Sequence, residues 1–465
     1  YIKIVLFSLL MVPFCLNASV AARLPLEPQL KKTPAEREDK LKPGIINGIQ
    51  EAISPSVLEE DEDWNATPEK PTPPIARDFK EMSSSIKQAM EKQNFKLGDH
   101  PYSLQGLPIA YTSKTTGFNL GTRISLADLK TEDPYTFLFS FQFWQTDRGA
   151  KNHQISLDVP ELFSKHWRLK LTYTYPEVID NNYFGLGNKS VYNQDFITPG
   201  NPNFISRNYY QYIFVYPRFT IDLSYKFFRE RLSLYGGIGI DKGTIHPINK
   251  DSTSKIYTEQ PYGYNGGKTN YIKIGLKFDS RDYPMNPTKG FVVAATYTDH
   301  VKFMGSDFNY VNIDLTYMGF FAFLNYFVLS HRVMIDQALG NNLPFFALAE
   351  FNSYNNYQGL GGEDTLRGAP TFRYIDNLKF INQLELRTRF YNGVVFGQHM
   401  ELFLVPYWDF GKVWDRYKKI NFEDLHHTVG NEFRFTWNTT FIASFTMGFS
   451  KDNFATYLSF GESFD

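Results

Sequence analysis

Trp167-Arg168-Leu169-Lys170-Leu171-Thr172-Tyr173-Thr174-Tyr175 alternates a large apolar or aromatic side chain with a charged or hydroxyl one along its whole length. A period of two puts the two kinds on opposite faces of a β-strand. The pattern recurs with Phe219, Ile221, Leu223, Tyr225 and Phe227 set against Thr220, Asp222, Ser224 and Lys226. It recurs again with Ile272, Ile274, Leu276 and Phe278 set against Lys273, Gly275, Lys277 and Asp279. A soluble sandwich hides its apolar face behind a second sheet and seldom places so many large aromatics at strand ends. Lipid outside and a polar lumen inside account for both faces at once.

Working outward, similar segments follow one another from about 106–112 to 454–464, including single strands over 209–227 and 330–350. The number, about sixteen, is even, as in bacterial single-chain barrels. The predicted fold is therefore all-β, a transmembrane antiparallel β-barrel over residues 101–465. Long loops are expected at 176–208, 243–267 and 352–377, and a tight turn at Arg229-Glu230-Arg231. Long loops on one side and a short turn on the other place the former outside the cell and the latter in the periplasm.

Composition agrees. A chain of 465 residues would ordinarily be two or three soluble domains, yet here 17% of the residues are aromatic while mean hydropathy is that of a polar protein. A helical membrane protein cannot combine these, whereas a barrel shows lipid only every second residue. Net charge is −1, with 48 basic and 49 acidic residues, so nothing electrostatic argues for nucleic acid.

The N-terminal part reads differently. Lys3 and the apolar run Ile4 to Leu16, followed by Asn17-Ala18-Ser19-Val20-Ala21-Ala22, have the form of a secretory signal peptide, residues 1–22. Cys15, the single cysteine, falls within it, so the mature chain is expected to lack disulfides and thiolate chemistry. Residues 23–76, rich in Pro, Glu and Lys, read as a disordered periplasmic linker. Residues 77–100 read as an amphipathic helix, with Phe79, Met82, Ile86 and Met90 at helical spacing.

No serine-nucleophile elbow or H-E-x-x-H zinc motif occurs, and neither catalytic residues nor cofactors nor metals are expected. His426-His427 would point to opposite faces of a strand, a poor arrangement for one metal. Asp279, Arg281 and Asp282 read as a structural ion-pair turn rather than as catalytic carboxylates.

The stretch Phe278-Asp279-Ser280-Arg281-Asp282-Tyr283-Pro284-Met285-Asn286-Pro287-Thr288-Lys289-Gly290 resembles the D-x-R-D-x-x-x-x-P-x-x-G strand-turn signature of the barrel-assembly (BamA and TamA-like) bacterial surface-antigen superfamily. Its signature positions here are Asp279, Arg281, Asp282, Pro287 and Gly290. Leu107-Pro108-Ile109-Ala110-Tyr111 is similar to the family's first strand, and Asn182-Tyr183-Phe184-Gly185-Leu186-Gly187-Asn188 to an early outer loop. Gly359-Leu360-Gly361-Gly362-Glu363-Asp364-Thr365-Leu366-Arg367-Gly368 resembles the family's Arg-Gly loop, although Ala369-Pro370 stands where an aromatic usually follows.

That resemblance implies a loop folded back into the lumen, with Arg367 and Gly368 at its tip and acidic seats on the next strands. Parity tests the seats: Leu384 and Leu386 facing lipid put Glu385 inward, and Trp408 and Phe410 facing lipid put Asp409 inward. Residues 23–100 lack the alternating strands and paired helices of POTRA domains, so the chain looks like a short, POTRA-less member. The resemblance implies residence in the bacterial outer membrane among lipid and lipopolysaccharide, with envelope proteins as partners or clients. Assistance in inserting or translocating protein or lipid is the implied role; a passive pore or structural barrel is the alternative.

Overall fold

A computed structural model describes residues 94–460 apart from short gaps at 98–99, 114–115, 131–134, 229, 249–252, 355, 396–397 and 438–440. The predicted signal peptide, the linker and residues 77–93 of the predicted helix lie outside the described residues.

The chain enters as a small hairpin of β1 (Asn94–Leu97) on β2 (His100–Ser113). This corrects the expectation of helix up to residue 100. Asn94-Phe95-Lys96-Leu97 already alternates, and Gly98-Asp99 has turn chemistry, so local period favours a strand.

From β2 an antiparallel meander runs through β3 (Gly117–Asp128), β4 (Phe137–Thr146), β5 (Lys151–Val159) and β6 (Trp167–Asn182). It continues through β7 (Gln211–Val215) and β8 (Arg218–Phe227), β9 (Leu232–His246), β10 (Gly266–Lys268) and β11 (Tyr271–Asp279), then β12 (Lys289–His300), β13 (Tyr310–Phe323) and β14 (Phe327–Leu339). After an internal hairpin of β15 (Glu350–Asn352) and β16 (Asn356–Gln358), the wall resumes with β17 (Leu378–Val395), β18 (Gln398–Trp414), β19 (His426–Trp437), β20 (Phe441–Phe449) and β21 (Phe454–Phe460). Because β7 and β8 both bridge β6 to β9, and β10 and β11 both follow β9, each couple is one stave. The wall so counted has sixteen staves among the described residues.

Two of the predicted strands are interrupted. The segment 209–227 breaks between β7 and β8 at Tyr216-Pro217, because proline has no N–H to give the ladder. The segment 330–350 ends as strand at Leu339, where Gly340-Asn341-Asn342 and Pro344 turn the chain inward. Phe345–Ala349 is then a short 3-10 helix, fully buried.

The alternation sorts as lipid outside requires. Phe139, Phe141 and Phe143 on β4 and Ile272, Ile274 and Leu276 on β11 are all exposed on the outer face. An exposed apolar band of this extent belongs in hydrocarbon, not water. The lumen is less uniformly polar than alternation alone suggests. Val292, Met318, Phe320, Val328, Met334 and Ile381 point in and form a buried cluster with Phe351, Leu360, Leu366 and Tyr374 of the internal segment. An inward-folded loop carrying apolar residues needs an apolar bed, since each buried aliphatic or aromatic side chain contributes about 1.5–3 kcal/mol.

A wall of sixteen antiparallel staves, each hydrogen-bonded to its neighbours along the chain, satisfies its backbone within the sheet and resists detergent. Mature protein is expected to fractionate with outer membranes and to migrate faster unheated than boiled in gel electrophoresis. Recovery as a soluble protein whose mobility does not change on heating would overturn the membrane-barrel assignment.

Candidate functional site

The segment between β14 and β17 returns into the barrel and builds its own tip. Thr365 Oγ1 donates to Gly359 O (2.6 Å) and accepts from Gly361 N (3.0 Å), closing a tight loop. Gly362 N donates to Ala369 O (3.1 Å), and Leu360 and Leu366 are fully buried beneath it. Two wall residues grip the loop from behind: Gln383 Nε2 donates to Thr365 O (2.8 Å), and Arg332 donates to Gln383 Oε1 (2.7 Å) and to the carbonyl of Asp364.

Arg367 projects from this tip into a charged seat. Its Nε and Nη2 donate to the two oxygens of Asp409 at 2.9 and 2.8 Å, and its Nη1 donates to Glu385 Oε1 at 2.7 Å. Its backbone N–H adds a bond to Asp409 Oδ2 (3.2 Å). The guanidinium also lies 3.6 Å from the centroid of the Tyr407 ring. All three charged side chains are essentially excluded from solvent. A fork paired with one carboxylate and shared with a second is the geometry in which a buried arginine is best compensated.

The seat is itself embedded. Arg387 holds the other oxygen of Glu385 (3.0 Å), Arg434 holds Glu432 (2.7 Å), and Glu432 lies 3.9 Å from Arg367. Ser444 Oγ donates to Glu432 (2.8 Å), and Arg389 pairs with Glu401 (3.0 Å). Cations and carboxylates thus interleave across β17, β18 and β19, so that no charge faces a like one alone.

Gly368 makes the second half of the contact. At φ 104° it adopts a conformation that glycine alone takes readily, and a Cβ there would lie 2.5 Å from the carbonyl carbon of Gly448. The backbones of tip and β20 therefore touch. Gly368 N donates to Tyr457 Oη (3.1 Å), and Ser450 Oγ donates to Gly368 O (3.0 Å).

The structure brings Arg367, Gly368, Glu385 and Asp409 together and leaves the strand-turn residues elsewhere. Asp279 pairs with Arg281 (2.9 Å) between β11 and β12. Asp282 accepts from the backbone N–H groups of Thr288 (2.9 Å) and Lys289 (3.1 Å). Pro287 is buried, and Gly290 has φ 95° with its Cα facing the Ser280 carbonyl so closely that a Cβ would sit 2.3 Å from the oxygen. These contacts hold a tight turn. His426 and His427 do part to opposite faces: His426 stacks on Tyr374 at 3.6 Å and bonds Asn188 O, whereas His427 accepts from Trp408 Nε1 (3.3 Å).

Glu432, Tyr407, Tyr457 and Gly448 also belong to the site and were missed by sequence reasoning. Glu432 was readable by parity, because Phe433 and Phe435 alternate with it and Arg434. The tyrosines and Gly448 carry no local signal for contact with a loop so distant in the chain.

The Omp85 superfamily domain matches residues 148–450. Among curated proteins none matches the chain in sequence. Among solved structures, the chain is similar to BamA from Haemophilus ducreyi lacking POTRA domains 1-3, at 13% identity and a TM-score of 0.50 over 77% of this chain and 69% of that one. It is also similar to CdiB from Acinetobacter baumannii, at 13% identity and a TM-score of 0.45 over 78% of this chain and 60% of that one. At such identity the likeness to the BamA barrel is one of fold.

Proposed function

The chain belongs to the Omp85 superfamily, and from that premise we propose that this outer-membrane barrel assists insertion or translocation of protein or lipid at the seam between β2 and β21. The observation that carries the reading is the state of that seam. Among the described residues no backbone register joins β2 to β21, while β1 pairs with Pro101, Tyr102 and Ser103 at the start of β2. A strand edge without its full partner is a template for another strand. The substrates that fit it are an unfolded β-strand of an envelope client, by edge pairing, or an outer-membrane lipid such as lipopolysaccharide, by passage along the apolar outer face.

The passive-pore alternative has the lumen against it, since the loop between β14 and β17 fills space that solute would need. No catalytic step, cofactor or metal enters this reading.

The test locks the seam. Cysteines are introduced in pairs, one on β2 and one on β21, in a chain whose one cysteine lies in the predicted signal peptide, and a pair that oxidation joins is tested in proteoliposomes supplied with an unfolded barrel client. Insertion is expected to fall to background when the pair is oxidised and to return on reduction. Equal insertion in both states, or a large steady single-channel conductance that the lock leaves unchanged, would favour the pore.

A further inference from the structure

A second arginine of the same internal loop, Arg373, has no part in the seat described above. It is 2% exposed and joins three segments far apart in the chain. Its Nε donates to Asp452 Oδ2 (2.7 Å) in the turn between β20 and β21. Its Nη1 and Nη2 donate to Oγ and O of Ser190, at 2.8 and 2.9 Å, in the long loop 183–210. The guanidinium lies 4.4 Å from the ring centroid of Tyr374, whose hydroxyl donates to the same Asp452 oxygen (3.2 Å). Gln194 Nε2 of loop 183–210 donates to the Asp452 carbonyl (3.0 Å), so that loop and the hairpin also meet directly.

We propose that Arg373 couples loop 183–210 to the terminal hairpin, so that the loop and β21 are released together. The inference deepens the seam reading and rests on it for its meaning in function.

The physical case is one of shared compensation. A buried guanidinium needs both its carboxylate and its acceptors, and loss of either partner leaves the other buried and unpaired. If loop 183–210 lifts, Ser190 goes with it, the Nη groups lose their acceptors, and Arg373 no longer holds Asp452 firmly. If the hairpin moves, Asp452 leaves and the guanidinium loses its counter-charge while still bonded to Ser190. Each departure weakens the other contact, which is a coupling free energy between two elements. The Gly368 contacts with Tyr457 and Ser450 attach the same hairpin to the same loop, so β21 is held from inside the barrel at two places.

Amide hydrogen exchange read by mass spectrometry on the full folded protein tests this. In Arg373→Ala, exchange in residues 183–210 and in 454–460 is expected to accelerate together, by about tenfold or more, while β3 and β4 keep their wild-type rates. Arg373→Lys keeps the charge but lacks the fork that reaches Ser190 and Asp452 at once, so it should accelerate both segments too. Asp452→Asn, which keeps the side chain's shape, should loosen loop 183–210 as well as β21, and it decides the matter if the Arg373 variants fail to fold. Acceleration of one segment with the other at its wild-type rate would overturn the coupling. Joint acceleration in a protein whose client insertion ignores the β2–β21 lock would uphold the coupling and overturn the seam reading.

Discussion

Arg367→Ala is expected to unseat the internal loop and to lower stability by about 3–5 kcal/mol, the range for breaking a buried ion pair by removing one partner. The substitution deletes a cation that meets Asp409 through two side-chain bonds and Glu385 through one, and it also removes the stacking on Tyr407. It leaves Asp409, Glu385 and Glu432 buried with only Arg387 and Arg434 to balance them. Replacing Asp409 as well, in Arg367→Ala with Asp409→Asn, should be less damaging, because it removes the carboxylate left without a counter-charge while Glu385 keeps Arg387. The readouts are the apparent Tm of the heat-modifiable form, which for such a barrel reports an unfolding rate, and protease nicking between residues 353 and 376. An Arg367→Ala protein with wild-type Tm and no new nicking would show that the seat does not hold the loop.

Gly368→Ala should expel the same tip with the arginine still in place. The added methyl carbon would stand 2.5 Å from the Gly448 carbonyl carbon and 2.6 Å from the Phe449 nitrogen, both backbone atoms of a hydrogen-bonded strand that cannot swing aside. The φ of 104° adds backbone strain of about 1–3 kcal/mol, and the clash adds overpacking of about 1–3 kcal/mol. Gly448→Ala makes the reciprocal collision, with its Cβ 2.6 Å from Arg367 O. Since both variants break one contact, the double variant should nick little more than either single one. Gly106→Ala, where a Cβ meets nothing within 4 Å, is the control. If Gly368→Ala nicks and melts like Gly106→Ala, the close approach of tip and β20 is not a constraint.

Strand period and face were legible in the sequence because they are local. A strand has a repeat of two, so one outward leucine or tryptophan determines where every neighbour points. Thus Leu384 and Trp408 are enough to turn Glu385 and Asp409 inward. The stave count followed from the same period, and the turn signature from Asp279 to Gly290 followed from bonds made within a dozen residues. Strand interruptions at Pro217 and after Leu339 were readable in principle from proline and turn chemistry, but alternation on either side masked them.

Only the tertiary structure decided how the loop between β14 and β17 is held. Gly368 meets Gly448, and Arg373 meets both Ser190 and Asp452, through contacts between residues 79 to 183 positions apart. Neither glycine nor serine announces such a partner by type or spacing. What brings them together is the curvature of the wall, which sets the last hairpin against a loop that entered the lumen after β14. A period of two says which way a side chain points, but which wall it meets depends on register and on where the chain folds back, and those are settled by the packing of the whole lumen.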